Sequence, residues 1–200
     1  MTLPNRHPQV GGSKPQEAPS PNMKYTTVNE EVLVSLDPVT RVDHRDIAWL
    51  KARAAKNQRK TVRLCAHRSV DDPVHEMLIV HSKGARVRPH KHPNKSESFH
   101  IIEGKLDIVV FDDSGGVVDV INMGDYPSGE RFFWRLSESY YHTVIPRSDV
   151  VVFHETTNGP FERSTSNVGA PWSPEETDLA GLERYLAELD VLLDSRKEAQ

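Results

Sequence analysis

The sequence predicts a mainly β protein, a single antiparallel β-barrel with one helix near its N-terminus and one amphipathic helix at its C-terminus. Short apolar runs of strand type follow one another from residue 61 to residue 155. Turn residues separate these runs, and the chain contains 14 Pro and 11 Gly. A length of 200 residues suits one domain with appendages.

The N-terminal part divides into a tail, a strand and a helix. Residues 1–22 contain five Pro and few large apolar side chains, which predicts a disordered tail. The barrel domain is predicted to span 23–165, with a first strand inside 23–36. Residues 40–57 predict a helix with an outer face rich in basic residues. Its apolar stripe consists of Val42, Ile47, Leu50 and Ala54.

The strands of the barrel are predicted from their apolar, β-branched and aromatic runs. They are 61–66, 75–81, 85–91, 97–103, 105–111, 117–122, 131–135, 140–145 and 149–155. The sequence Asp-Asp-Ser-Gly-Gly at 112–116 predicts a hairpin turn. Strands joined by such turns favour an antiparallel arrangement.

The C-terminal helix is predicted over 172–196, with Ser173 as N-cap, Pro174 in its first turn and Glu176 completing a capping box. One apolar face is formed by Leu179, Leu182, Leu186, Leu189 and Leu193. We expect this face to pack on its own domain, with the acidic helix near the basic helix at 40–57. A dimer seam is the alternative.

Composition narrows the class of protein. No segment has the length and apolar character of a membrane span, and no basic region followed by an apolar run opens the chain. These features predict a cytoplasmic protein. The net charge of −4 does not indicate a nucleic-acid binder, and the single cysteine, Cys65, excludes an internal disulfide.

The most informative motif lies in the middle of the chain. It consists of Gly84, five residues, His90, one residue, His92, four residues, Glu97, six residues and Gly104. Two His that flank one residue of a strand point the same way, and a carboxylate opening the next strand can reach them. This combination predicts a metal site, with a solvated His-rich turn as the alternative. The spacing resembles the first sequence motif of the cupin superfamily, which implies a jelly-roll barrel with a metal in its mouth.

The cupin resemblance implies a fourth ligand, a His from a later strand. His142 is preferred, because it lies in the strand-like Tyr-Tyr-His-Thr-Val-Ile sequence, and His154 is the alternative. The second cupin motif is present only in degraded form. Three His and one Glu suit a divalent transition metal, namely Fe, Mn, Ni or Zn, and the absence of Cys ligands argues against a closed structural zinc.

Other polar residues are candidates for contact with a substrate. In a regular strand, Arg88 shares the face of His90, and five basic residues with no acidic one between 83 and 95 favour an anionic small molecule. Tyr140, two residues before His142, and His154 are the candidate acid/base residues. A solvated strand end explains Arg88 equally well, and core packing is the simpler explanation for Tyr140.

At finer grain the chain resembles the WbuC-type cupin-fold metalloproteins over about 40–165. The matching stretches are Arg63–Val70, Val87–Phe99, 105–116 and Phe153–Phe161. The first stretch places Arg63 and His67 among the candidate substrate-binding residues. The resemblance implies a bound metal and hints at the sugar nucleotides of polysaccharide biosynthesis.

These features predict a metal-dependent enzyme, such as an isomerase or epimerase, acting on a small anionic or sugar-like molecule. The alternatives are an Fe-dependent dioxygenase, a non-catalytic metal-containing sugar sensor, and a protein in which the metal is structural. A homodimer paired through edge strands is expected.

Overall fold

The computed structural model describes residues 20–162 and 164–198. The predicted disordered tail 1–22 lies outside the described residues except for its last three. Helix α1 spans His44–Lys56 and helix α2 spans Leu179–Glu198. The strands are β1 Tyr25–Thr27, β2 Val32–Ser35, β3 Thr61–Cys65, β4 Val74–Ser82, β5 His90–Lys91, β6 Glu97–Glu103, β7 Lys105–Phe111, β8 Val117–Gly124, β9 Phe133–Leu136, β10 Tyr141–Pro146, β11 Val150–Asn158 and β12 Val168–Gly169.

The strands form two sheets. Sheet A has the order β1-β2-β3-β4-β11-β6-β9, and sheet B has the order β12-β5-β10-β7-β8. The mainly β prediction is confirmed, but the two sheets face each other like a jelly-roll sandwich and do not close into one barrel. Strand β2 also runs parallel to β3, against the antiparallel expectation. The reason is topological, because α1 lies between these strands and carries the chain back to the same end of the sheet.

The main core lies between the two sheets. It combines side chains of sheet A, such as Ile79 and Phe153, with side chains of sheet B, such as Ile108 and Val144. Successive residues of a strand face opposite sides, so the neighbours of these residues lie on the outer faces. The predicted hairpin at 112–116 joins β7 to β8, where the Asp112 amide donates to the Gly116 carbonyl.

Helix α1 covers the outer face of sheet A. Asp43 caps it and accepts hydrogen bonds from the amides of Arg45 and Asp46, and the Asp46 carboxylate accepts from the Asp43 amide. Leu50 and Ala54 pack against buried outward-facing residues of sheet A. These are Val62, Leu64, Val80 and Val152.

Helix α2 covers the outer face of sheet B. Leu189 and Leu193 pack against buried residues of β7 and β10, so the helix is packed on its own domain and not on α1. Leu182 of the same helix is fully buried. It begins at Leu179, later than the capping pattern predicts. The Ser173 hydroxyl donates to the Ala170 carbonyl, and Asp178 instead accepts from the Gly181 amide.

Among the described residues, neither helix has the length and apolar character needed to cross a membrane.

Candidate metal centre

Three histidines converge between the two sheets. His90 and His92 lie on and just after β5, and His142 lies on β10, directly opposite His90 in the strand register. One ring nitrogen from each of the three lies within 4.8 Å of the other two. The His-x-His spacing and a strand pairing across sheet B therefore bring together three of the four predicted ligands.

Backbone carbonyls orient all three rings. Nδ1 of His90 lies 2.8 Å from the Arg88 carbonyl, and Nδ1 of His92 lies 2.6 Å from the Ser166 carbonyl. Nδ1 of His142 lies 3.2 Å from the Tyr140 carbonyl. A carbonyl only accepts, so each Nδ1 must carry the proton and each Nε2 is left with a lone pair. This is how metal-binding histidines are held in proteins.

Glu97 completes the cluster from the opposite sheet. It opens β6 and is buried, and its two oxygens face two of the rings. Oε1 lies 3.4 Å from His92 Nε2, and Oε2 lies 3.0 Å from His142 Nε2. Yet Glu97 Oε2 and His142 Nε2 are buried and have no hydrogen-bond partner among the described residues. Two buried atoms with lone pairs directed at one point are the arrangement that a cation satisfies.

The electrostatics of the site follow from burial and proximity. Burial, with the neighbouring His142 and His92, lowers the pKa of His90 to about 3. Burial alone would raise the pKa of the Glu97 carboxyl, but attraction to His142 and His92 in their protonated forms lowers this pKa well below its usual range. Neutral imidazole and ionised carboxylate are the forms that ligate metals.

The donor set fits a divalent transition metal. Imidazole suits Fe, Ni and Zn, and a carboxylate adds affinity for Mn and Fe. Four protein donors leave coordination positions open in an octahedral ion, where a small molecule or water could bind.

The two candidate acid/base residues lie away from this cluster. Tyr140 precedes β10 and its side chain is 46% exposed, so its backbone carbonyl and not its phenol contacts a site residue. His154 is on β11 between the inward-facing Phe153 and Glu155, so it points to the outer face. There its Nε2 lies 3.7 Å from Glu76 Oε1. His142 therefore joins the cluster, and His154 does not.

Arg88 is occupied by the C-terminal segment. Its guanidinium pairs with both oxygens of Glu175, at 2.6 and 3.2 Å, and also donates to Ala170 O and Ser173 Oγ. The regular strand that would place it beside His90 is absent, because β5 contains only two residues.

His67 also lies apart from the cluster. It follows β3, and its ring stacks on that of His75 with 4.0 Å between centroids. Its Nδ1 lies 3.2 Å from both the amide and the carbonyl of Glu76. These contacts make it part of a surface turn.

Arg63 does lie between the sheets, together with a carboxyl group that the sequence analysis missed. Arg63 on β3 shares the face of Cys65, which belongs to the main core. Glu155 on β11 contacts Glu97, and burial together with the Glu97 charge raises the pKa of the Glu155 carboxyl to about 8. Two inward-facing polar groups thus accompany the four converging side chains.

The C-terminal segment supplies a wall of the site, which the sequence analysis also missed. Besides the Ser166 carbonyl behind His92, strand β12 pairs with β5, placing Val168 beside Lys91 and Gly169 beside His90. A side chain at residue 169 would clash with the Arg88 guanidinium, since a Cβ would lie 2.5 Å from it. The segment and the ligand strand are therefore packed backbone to backbone.

Residues 42–123 match a protein family described as a domain of unknown function (DUF6016). The matched stretch includes His90, His92 and Glu97 but not His142. No curated protein matches the chain.

Cupin-fold proteins are among the solved structures similar to this chain. The oxalate decarboxylase of Bacillus subtilis, described with Mn(II) centres, is 23% identical with a TM-score of 0.39, over 49% of this chain and 24% of that one. The Lactobacillus farciminis oxalate decarboxylase formate complex is 16% identical with a TM-score of 0.39, over 49% and 27%. The cupin domain of Schizosaccharomyces pombe Cnp3 is 14% identical with a TM-score of 0.40, over 50% and 66%. The chain spans about a quarter of the length of the oxalate decarboxylases, and no functional conclusion follows from likeness at this level.

Proposed function

We propose that this chain is a cupin-fold metalloprotein of the WbuC type and a metal-dependent enzyme acting on a small anionic or sugar-type molecule. One observation carries the proposal. The ring nitrogens of three histidines converge, the buried Glu97 carboxylate lies beside two of them, and every Nδ1 is held by a backbone carbonyl. With neutral rings protonated at Nδ1, this arrangement places lone pairs against lone pairs, and a bound cation would compensate them.

His90, His92, Glu97 and His142 would hold the ion. A bound divalent transition metal supplies Lewis-acid polarisation of a substrate oxygen. The chain itself excludes bulk water, fixes the imidazoles in the ligating tautomer and keeps the carboxylate ionised. Fe, Mn, Ni and Zn all remain compatible with these donors.

The resemblance to WbuC-type proteins supports a substrate from polysaccharide biosynthesis, such as a sugar nucleotide. Isomerisation or epimerisation fits an ion that polarises a carbonyl or hydroxyl oxygen. Oxygenation would instead require Fe(II) and O₂. A homodimer stays a prediction of the sequence analysis.

The first test is the metal content of protein purified without added metal or chelator, measured by elemental analysis. We expect near-stoichiometric metal in the wild type and its loss in the His90→Ala/Glu97→Ala double variant. His154→Ala is the matched control, because it removes an imidazole that lies on the sheet of Glu97 but points outward, and it should keep the metal. Equal metal in the wild type and the double variant would overturn the proposal.

Turnover distinguishes an enzyme from a binding protein. The metal-loaded protein is incubated with sugar nucleotides and followed by NMR, with O₂ uptake measured in parallel for the iron form. New sugar signals that disappear in the double variant support isomerisation. O₂ consumption supports oxygenation, and a ligand bound but unchanged over hours supports the sensor alternative.

A further inference from the structure

Arg63 differs from the other partly buried arginines of the molecule. Four of them pair with carboxylates of the C-terminal region: Arg59 with Glu176, Arg86 with Glu183, Arg88 with Glu175, and Arg147 with Asp190. The Arg63 guanidinium makes no hydrogen bond or ion pair within the part of the chain that the structure describes. The Glu31 and Glu155 carboxyl groups act on it electrostatically without forming an ion pair. A cation that is not hydrogen-bonded inside a protein is costly unless solvent or a ligand reaches it.

The strand alternation directs Arg63 into the space between the sheets. Val62 and Leu64 pack under α1 on the outer face of sheet A, and Cys65 belongs to the main core. Arg63 therefore lies on the inner face, and it remains partly exposed there. Its nitrogens are not among the buried atoms that lack a partner, so they border accessible space.

Glu155 stands between Arg63 and the four converging side chains. In the register of β11 and β6, Thr157 is opposite Glu97, so Glu155 is two residues away on the same inner face. Its carboxyl contacts Glu97 and acts electrostatically on both His92 and Arg63. In the strand register, Arg63 is opposite Ile79, and Ile79 is opposite Phe153. Phe153 is two residues from Glu155 on the same face of β11, so Arg63 lies one such step further from Glu97.

Glu97, Glu155 and Arg63 form a polar row on the inner face of sheet A, and the distance between its two ends is short. From Thr157 to Phe153 the strand advances about 13 Å, and the long Arg63 side chain occupies part of that distance. A ligand that reaches both Arg63 and Glu155 over this distance is a small molecule and not a polymer. An arginine recognises a carboxylate through two parallel hydrogen bonds, and a carboxyl group such as that of Glu155 accepts from a hydroxyl through its carbonyl oxygen.

We propose that Arg63 and Glu155 form the recognition site for a small hydroxy acid, such as a sugar acid, with Arg63 binding its carboxylate and Glu155 accepting from its hydroxyl. This inference rests on the proposed function and narrows its substrate to the anionic type. A monoanion is favoured over a phosphate dianion, because one guanidinium balances one negative charge and the ionised Glu97 nearby repels a second.

The test measures binding to the zinc-loaded protein by titration calorimetry. The probes are glucuronate, glucose as the neutral compound of matched shape, and glucose 6-phosphate as the dianion. We expect glucuronate to bind in preference to both others. Arg63→Gln should weaken glucuronate binding about tenfold or more, and Arg63→Lys should restore part of the loss. Glu155→Ala, which removes the acceptor, should reduce the preference for glucuronate over a carboxylate without hydroxyl groups, such as acetate.

Metal content and thermal unfolding of each variant are measured first. Arg53→Gln, on the helix that covers the outer face of sheet A, is the control and should bind glucuronate as the wild type does. Loss of metal from the wild type would be a failure of the proposed function. Three results obtained with the metal retained would overturn this inference alone. They are glucuronate binding that is unchanged in Arg63→Gln, stronger binding of glucose 6-phosphate than of glucuronate, and no binding of glucuronate.

Discussion

The two helices cover equivalent faces of the two sheets, but they stand in different relations to the metal centre. Helix α1 packs on sheet A through Leu50 and Ala54 and is capped by its own neighbour Asp43. Helix α2 packs on sheet B through Leu189 and Leu193. Sheet B contains the histidines, and the segment leading into α2 touches their strand.

The contacts of that leading segment explain the difference. Strand β5 has only two residues, and its partners are β10 on one side and β12 on the other. The Ala170 amide also donates to the Pro89 carbonyl next to β5. A two-residue strand cannot hold its position through its own hydrogen bonds, so the C-terminal region holds the ligand strand. Helix α1, in contrast, stabilises a sheet that contributes only Glu97 to the site.

The largest expected effect comes from truncating one core leucine under each helix. Leu50→Ala and Leu182→Ala each remove a fully buried side chain and should lower the free energy of unfolding by about 2–5 kcal/mol. Only Leu182→Ala should also speed the release of zinc to a chelator, since it loosens the region that holds β5. Denaturant unfolding and stopped-flow chelation measure the two effects. Equal rates of zinc release in both variants would contradict the conclusion that only the C-terminal region holds the ligand strand β5.

Sequence reasoning reached the site better than its surroundings, for physical reasons. His90, His92 and Glu97 are close in sequence, and the alternation of side chains along a strand predicts from their spacing that they point to the same place. Strand β11 is different, because Val151, Val152 and Phe153 are all buried. Since α1 covers the outer side of sheet A, apolar residues occupy both faces, and no alternation shows that Glu155 rather than His154 points inward.

The contribution of the C-terminal segment to the metal centre could not be predicted from the sequence, for another reason. Ser166 reaches His92 through its backbone carbonyl, and such a contact leaves no trace in residue type. Arg88 has the composition of a substrate-binding residue, but its partner Glu175 is 87 positions away. Contacts between distant segments depend on the fold, and so does the division of the strands into two sheets where the sequence predicted one jelly-roll barrel.

The second prediction concerns the interior of sheet A, at the opposite end from the ligands. Burial, with Arg63 and Arg59 nearby, lowers the pKa of His81 to about 3. The unfolded chain therefore binds a proton below its ordinary pKa of 6.5 that the folded protein does not, and stability is lost as the pH falls. His81 alone should contribute a slope of about 1.4 kcal/mol per pH unit between these two values.

His81→Gln isolates this effect from the other titrating groups. The difference between wild type and variant in the free energy of unfolding, measured by urea denaturation at several pH values, should shift in favour of the variant as the pH falls below 6.5. Zinc content at neutral pH should be the same in both proteins. A pH-independent difference would mean that His81 accepts a proton in the folded state.

The smallest effect, and the sharpest comparison, comes from two ion pairs that anchor the two helical regions. Arg88 binds Glu175 of the C-terminal segment at 2.6 Å, and Lys51 of α1 binds Glu103 at 2.5 Å. Both pairs have an exposed acidic partner, so Arg88→Gln and Lys51→Gln should each change the free energy of unfolding by about 1 kcal/mol or less.

The local consequences of the two substitutions should differ. Arg88→Gln frees the turn that carries Ala170 and Ser173, so amide hydrogen exchange should accelerate at Val168 and Ala170, and zinc should leave faster. Lys51→Gln should leave both unchanged, because its partner strand β6 is held by β11 and β9 on either side. Faster exchange at β12 in both variants would show that the two sheets open together and that the ligand strand is not held by the C-terminal region alone.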